Sequence, residues 1–266
     1  MKKRVIVEEI KVKSLHDRIK KIRIILPKDY FVTEKTYPVL YMHDGQNLID
    51  PSKFSNHSWE VLKSMDELHD YTKGVIIVGI DADPKRRILE YSPALAKPVI
   101  PYLIKTQGLS KDEIRPEADE YGEFIVNQLK PKIDSEYRTK KNKENTYIAG
   151  SSCGGIISLY LGIKYQNIFS CIGAFSSALT ITRKPLYKYI ENKGIEDHLK
   201  IYMDMGTKEN GIMSFQMVYL QRKIYRFIKK IMNEKNILSV LDKGATHSEV
   251  YWAKRFPDFL KFCFKK

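Results

Sequence analysis

Tyr147-Ile148-Ala149-Gly150-Ser151-Ser152-Cys153-Gly154-Gly155-Ile156-Ile157 decides how the rest of the chain is read. Its centre, Gly150 to Gly154, fits Gly-x-Ser-x-Gly with Ser152 alone in frame, because Ser151 and Cys153 fill the two x positions. Residues 146–149 are a short apolar run suited to a buried strand. Residues 155–165 carry Ile156, Leu159, Tyr160 and Ile163 at helical spacing. A strand that turns sharply into a helix around a serine is strained, and it lifts the hydroxyl clear of the strand end. Glycines two before and two after the serine let neighbouring backbone approach without a clash. This stretch predicts an exposed, nucleophilic Ser152, with Cys153 a small residue packed beneath the turn.

Outward from that turn, strands and helices alternate. Residues 4–13 and 18–26 read as an antiparallel edge hairpin with its turn at 14–17. Residues 38–42 form a third strand, and residues 59–69 a helix with Trp59, Leu62, Met65 and Leu68 inward. Residues 75–80 are almost wholly apolar, as a parallel strand buried on both faces should be. A helix over 117–134 leads to the central strand and helix. Strands follow at 169–175, 199–205 and 237–241, with helices at 215–233 and 250–264. The pattern predicts an α/β fold, a mostly parallel sheet of about eight strands with helices on both faces and right-handed connections. Residues 1–266 read as a single domain. Two excursions, an irregular one near 81–120 and an irregular or partly helical one near 176–198, are expected to roof a pocket.

Composition sets the outer limits. At 266 residues, 43% hydrophobic and 29% charged, the chain has the make-up of a soluble globular protein. No apolar run approaches the roughly 18 residues of a membrane span, so no membrane partner is expected. Cys153, Cys171 and Cys263 are odd in number and lack metal-ligand spacing, which suits reduced thiols in a cytoplasmic protein. The net charge of +14 arises from 46 Lys+Arg against 32 Asp+Glu, with lysines scattered through every segment. Without a nucleic-acid motif or an aromatic-basic platform, that charge does not call for nucleic acid, though it would favour a substrate carrying acids.

A serine nucleophile needs a base, a group that orients the base, and donors for the oxyanion. His198 and His247 are the histidines beyond residue 152. His247 lies in a glycine-containing loop after the last strand, where the base belongs, whereas His198 precedes a strand. The acid should follow the strand at 199–205. Glu209, in a loop free to swing towards the imidazole, is the first candidate, and Asp204, within the strand run, is the alternative. The N–H of Cys153 supplies one oxyanion donor, and the N–H of Gln46, after Gly45, the second. His43 and Asp44 read as a loop-stabilising pair. Trp59 and Tyr91 are candidate pocket-wall residues. No metal or cofactor is called for.

Taken together, residues 41–47 (Tyr-Met-His-Asp-Gly-Gln-Asn), Arg87-x-x-Glu90-Tyr91-Ser92-Pro93, residues 150–155 and Gly244-x-x-His247 resemble an esterase family of α/β-hydrolases. That family includes esterase D, feruloyl and acetyl xylan esterases, enterochelin-type siderophore esterases and mycolyltransferases. The resemblance spans residues 20–264 and implies a serine esterase working through an acyl-enzyme on a small-molecule ester. Its Gly-x-x-Asp acid loop corresponds to Gly206-Thr207-Lys208-Glu209, with Glu for Asp. Acylated sugars or a related small ester are the implied substrates. The alternatives are a siderophore trilactone esterase, an acyltransferase on the same triad, or a binding protein on a hydrolase fold.

Overall fold

The computed structural model describes residues 3–53 and 56–265. Eight strands form one sheet: β1 (Val5–Val12), β2 (Arg18–Ile25), β3 (Val39–His43), β4 (Ile76–Ile80), β5 (Thr146–Ser151), β6 (Cys171–Phe175), β7 (Lys200–Gly206) and β8 (Ile237–Asp242), in the order β1-β2-β4-β3-β5-β6-β7-β8. β1 pairs antiparallel with β2 at the sheet edge, and β2 pairs antiparallel with β4. From β4 to β8 every pairing is parallel. The alternation read from the sequence corresponds to this sheet.

Every residue of β3, β4, β5 and β6 is buried, because helices cover both faces. Successive side chains of a strand point to opposite faces. Tyr41, Val78 and Ile148 therefore join one core, while Leu40, Ile77 and Tyr147 join the other. The first layer holds α5 (Ala118–Glu123), α6 (Lys130–Glu136), α7 (Cys153–Lys164), α8 (Arg183–Lys193) and α9 (Ser214–Lys229), which contribute residues such as Ile133, Ile156, Leu186 and Leu220. Against the opposite face lie α1 (Val61–Glu67), the one-turn α2 (His69–Thr72) and α10 (Glu249–Phe264), with Met65, Phe256 and Leu260 inward. Two further short helices, α3 (Arg87–Glu90) and α4 (Val99–Gln107), lie in the excursion after β4.

Three expectations need adjustment. The helix expected over 117–134 is α5 and α6 joined through a π-helical stretch, Phe124–Leu129. The excursion at 81–116, expected to be irregular, is partly helical and contains α3 and α4, whereas α8 in the second excursion agrees with the partly helical reading of 176–198. Trp59 lies before α1 and not within it. Among the described residues, no helix is long and apolar enough to cross a membrane.

Candidate active site

β5 delivers its last residue, Ser151, directly into Ser152, whose φ of 59° and ψ of −120° lie outside the ordinary regions for a residue with a side chain. The turn is held from both sides. Ser152 N–H donates to the Phe175 carbonyl at 2.9 Å, and Ala178 N–H donates to the Ser152 carbonyl at 3.1 Å. A Cβ on Gly150 would lie 2.9 Å from the Gly154 carbonyl carbon, so the close return of the chain needs a glycine there. The Ser152 side chain is half-buried, whereas Cys153, which opens α7, is buried. Burial raises the Cys153 thiol pKa, although Arg87 pulls the other way, so the thiol stays protonated.

The loops after β7 and β8 are stitched together. Thr207 N–H donates to the Asp242 carbonyl, Lys208 N–H to the Ala245 carbonyl and His247 N–H to the Glu209 carbonyl, at 3.0, 2.9 and 3.3 Å. This stitching sets His247 Nδ1 2.5 Å from Glu209 Oε2. The other carboxylate oxygen, Oε1, accepts from Ser176 Oγ at 2.6 Å and Gly206 N–H at 2.5 Å. Burial raises the Glu209 pKa, but the hydrogen bonds from His247 and Ser176 outweigh it and leave the carboxyl below its usual range. Glu209 is therefore an anion facing the imidazole.

Asp204 lies elsewhere. Its carboxylate accepts from Arg255 at 2.9 and 3.2 Å and from Ser176 N–H at 3.0 Å, wholly buried beneath the loops. Burial raises its pKa to about 6, against the pull of Arg255. It braces the end of β6 against α10 and is not bonded to His247. Ser176 ties the two carboxylates together. Its backbone is left-handed at φ 42°, and its Oγ donates to Glu209 while accepting from Trp252 Nε1 at 3.0 Å. The Trp252 ring also stands edge-on to His247, with centroids 5.0 Å apart. Ser176 and Trp252 escaped the sequence reading. The position of Ser176 at the end of a parallel strand was the available signal.

The loop after β3 lies against the serine turn. Asp44 takes a left-handed conformation (φ 57°, ψ 47°), and Arg87 grips both its carboxylate oxygens at 2.6 and 2.7 Å. Asp44 N–H donates to Tyr91 Oη at 3.3 Å. A Cβ on Gly45 would meet the Gly79 carbonyl carbon at 2.6 Å, which explains the glycine at this tight approach. Gln46 Oε1 accepts from Ala82 N–H at 3.0 Å, fixing the residue whose own N–H lies in the first turn of a short 3₁₀ helix, Gly45–Asn47. The Cys153 N–H likewise opens α7 and has no intrahelical acceptor. A Cβ on Gly154 would stand 3.3 Å from Asp44 Oδ2 and from His43 Cβ, so the two loops are in contact. The imidazole of His43 is buried, with Nδ1 2.9 Å from Tyr121 Oη; burial lowers its pKa to about 3, so it is neutral.

Ser152, Glu209 and His247 open onto one cavity of about 930 Å³. The first excursion lines it with Ile88, Ala96, Pro98, Val99 and Tyr102, and the second with Ala178, Thr180 and Ile181. A third wall, Met213, Gln216 and Met217 at the start of α9, had no counterpart in the sequence reading. Among the described residues, no lysine or arginine lines the cavity. Trp59 and Tyr91 are not among its walls. Trp59 packs edge-on against Phe175 at 4.9 Å in the core, and Tyr91 is wholly buried between His43 and Tyr121, since each large ring gains more by leaving water than by facing a wet cleft. His198 sits far along the chain, its Nε2 2.8 Å from the Gln166 carbonyl.

The uncharacterized protein YbbA of Bacillus subtilis (strain 168) is 24% identical to this chain over 259 residues, spanning 93% of each. The BES protein from Bacillus cereus superposes with a TM-score of 0.75 at 17% identity, covering 99% of this chain and 97% of that one. The enterobactin esterase FES from Shigella flexneri does so with a TM-score of 0.74 at 17% identity, over 98% of this chain but 58% of its own. With the sheet order and serine turn described above, these likenesses place the architecture among the α/β-hydrolase folds. The family model "Putative esterase" matches residues 13–263, from the edge hairpin through the His247 loop, and the chain belongs to that family.

Proposed function

We propose that this chain is a serine carboxylic ester hydrolase working through an acyl-enzyme. The observation that carries the reading is the Glu209–His247 pair, at 2.5 Å, opening onto the same cavity as the strained Ser152. With Nδ1 engaged by an anionic carboxylate, His247 keeps Nε2 as a base. Ser152 Oγ attacks the ester carbonyl and passes its proton to Nε2. The tetrahedral oxyanion is met by the N–H groups of Gln46 and Cys153, each worth roughly 3–4 kcal/mol in comparable sites. Collapse expels the alcohol, which takes the proton back from His247. Water then attacks the acyl-enzyme by the same route and releases the acid.

The substrate follows from the walls. Ile88, Val99, Ile181, Met213 and Met217 favour an apolar acyl group, and among the described residues no lysine or arginine in the lining offers a partner to an acidic one. An acylated sugar or related small ester carrying a neutral, apolar acyl group fits this cavity best.

The test is hydrolysis of p-nitrophenyl acetate, butyrate and succinate by wild type and Ser152→Ala, with fluorophosphonate labelling of both. Wild type should label at Ser152 and prefer butyrate to succinate, and Ser152→Ala should lose at least about 10⁴-fold in kcat. Turnover by Ser152→Ala at the wild-type rate would sink the mechanism. Neither labelling nor turnover in wild type would favour a binding protein on this fold.

A further inference from the structure

We propose that the outward face of α9, with the loop before it, docks on an anionic lipid surface. This face is apolar at one end and basic along its length. Ile212 is 95% exposed, Phe215 88% and Tyr219 58%, large side chains that a fold leaves in water at a cost unless something covers them. α9 turns Leu220, Ile224 and Ile228 into the core, which sends Phe215, Tyr219, Arg222, Arg226 and Lys230 outward at helical spacing.

A groove of about 670 Å³ runs along this face, with Tyr187 of α8 contributing to its lining. Its apolar part is Phe215, Val218, Tyr219 and Phe227, and its basic part is Arg222, Lys223, Arg226 and Lys230. These four cations are exposed, and none makes an ion pair among the described residues, whereas Lys229 is paired with Glu234 at 3.2 Å. From Asn210 to Asn233 the chain contains no acidic residue. Lys184 and Lys188, which flank Tyr187 on α8, are also exposed.

Charge decides the occupant. A second copy packed through this face would set the cations of both copies against each other. A bilayer containing anionic lipid offers phosphates to the cations and an acyl boundary to Ile212 and Phe215, the pattern of an interfacial amphipathic helix. A fluid surface also takes protruding side chains without a matching socket. The same segment supplies Met213, Gln216 and Met217 to the cavity wall, so a docked surface lies beside the cavity. The absence of a spanning segment, which the sequence addresses, says nothing about such contact.

Flotation of the full chain with phosphatidylcholine vesicles, with and without phosphatidylglycerol, tests this. Binding should require phosphatidylglycerol and weaken as salt is raised. Ile212→Ser/Phe215→Asp should lose at least about ten-fold in partitioning. Neutralising Arg222, Lys223, Arg226 and Lys230 to Gln should lose on the order of several hundred-fold, since each cation near the surface is worth roughly five-fold. Both variants should keep wild-type melting curves, because the altered side chains lie outside the core and the cavity. Three results would overturn the proposal: no wild-type binding, binding indifferent to lipid charge, or loss with the charge variant but not with the apolar one, which marks a site for polyanions in general. A dimer in lipid-free sedimentation that Phe215→Asp dissociates would assign the face to a second copy instead.

Discussion

Arg87 holds Asp44 by both carboxylate oxygens, at 2.6 and 2.7 Å, and so keeps a non-glycine residue in the left-handed conformation beside the serine turn. The bidentate geometry matters because a left-handed aspartate relaxes unless its surroundings oppose it. In the proposed mechanism this clamp sets the Gln46 N–H. Arg87→Met should therefore lower kcat by roughly ten- to a hundredfold, part of the cost of losing one oxyanion donor, with KM changed far less. Steady-state kinetics on p-nitrophenyl butyrate checks the split. An unchanged kcat in a folded variant would remove the clamp from the chemistry.

On the proposed mechanism, the two carboxylates near the end of β7 divide function from stability. Glu209→Gln leaves His247 without an anion and should cut kcat by about 10³–10⁴-fold while the melting temperature moves little. Asp204→Asn should do the reverse. It weakens the partner of a buried Arg255 and should cost about 3 kcal/mol in denaturant unfolding. If the Asp204 variant loses turnover while remaining folded and the Glu209 variant does not, the roles are exchanged.

Ser176 holds the Glu209 carboxylate from behind. Ser176→Ala removes its hydrogen bond to Oε1 and strands Trp252 Nε1 without its acceptor. The expected effects are about ten-fold slower fluorophosphonate labelling and a loss of roughly 1–3 kcal/mol, the cost of a buried polar group left unpaired. Labelling kinetics and urea unfolding on one preparation measure both.

His43 predicts a pH dependence of stability. Burial lowers its pKa to about 3, whereas the unfolded chain titrates near the ordinary value of about 6.5. Below that pH the unfolded state binds a proton that the folded state refuses, so this stabilisation is present above about pH 6.5 and is lost as the pH falls towards about 3. His43→Asn lacks the linkage. The stability advantage of wild type over this variant should shrink by roughly 1.4 kcal/mol per pH unit below about 6.5, read from urea midpoints between pH 7 and 5. A constant gap would contradict it.

Gly150 faces the Gly154 backbone across the serine turn, with 2.9 Å from its absent Cβ to the Gly154 carbonyl carbon. Gly150→Ala should push the turn open and destabilise the fold by about 1–3 kcal/mol, as overpacking does. Thermal melts check the cost, and slowed labelling of Ser152 would show that the turn itself has moved.

Much of this architecture is legible in the chain because strand burial and helix amphipathicity repeat locally. Residues 75–80 read as a doubly buried strand, which the structure forms as Ile76–Ile80, and the turn at Ser152 follows from five consecutive residues. In the first excursion α4 was obscured by prolines. Pro98 and Pro101 flank and enter its first turn, where a missing N–H breaks no helical bond although the residue reads as a breaker. The π-helical stretch at Phe124–Leu129 escaped because its wider winding leaves no distinct apolar period.

The sequence by itself determined the order of the strands along the chain, the serine turn and the histidine loop, all properties of neighbouring residues. Only the tertiary structure decided which carboxylate His247 meets, what stands behind it, and which side chains line the cavity. The β7–β8 register, Gly206 opposite Asp242, sets the two loops side by side and brings Glu209 to His247, while α10 carries Arg255 back to claim Asp204. Such pairings join residues tens of positions apart. They arise from packing, not from periodicity, and so leave no repeating trace along the chain.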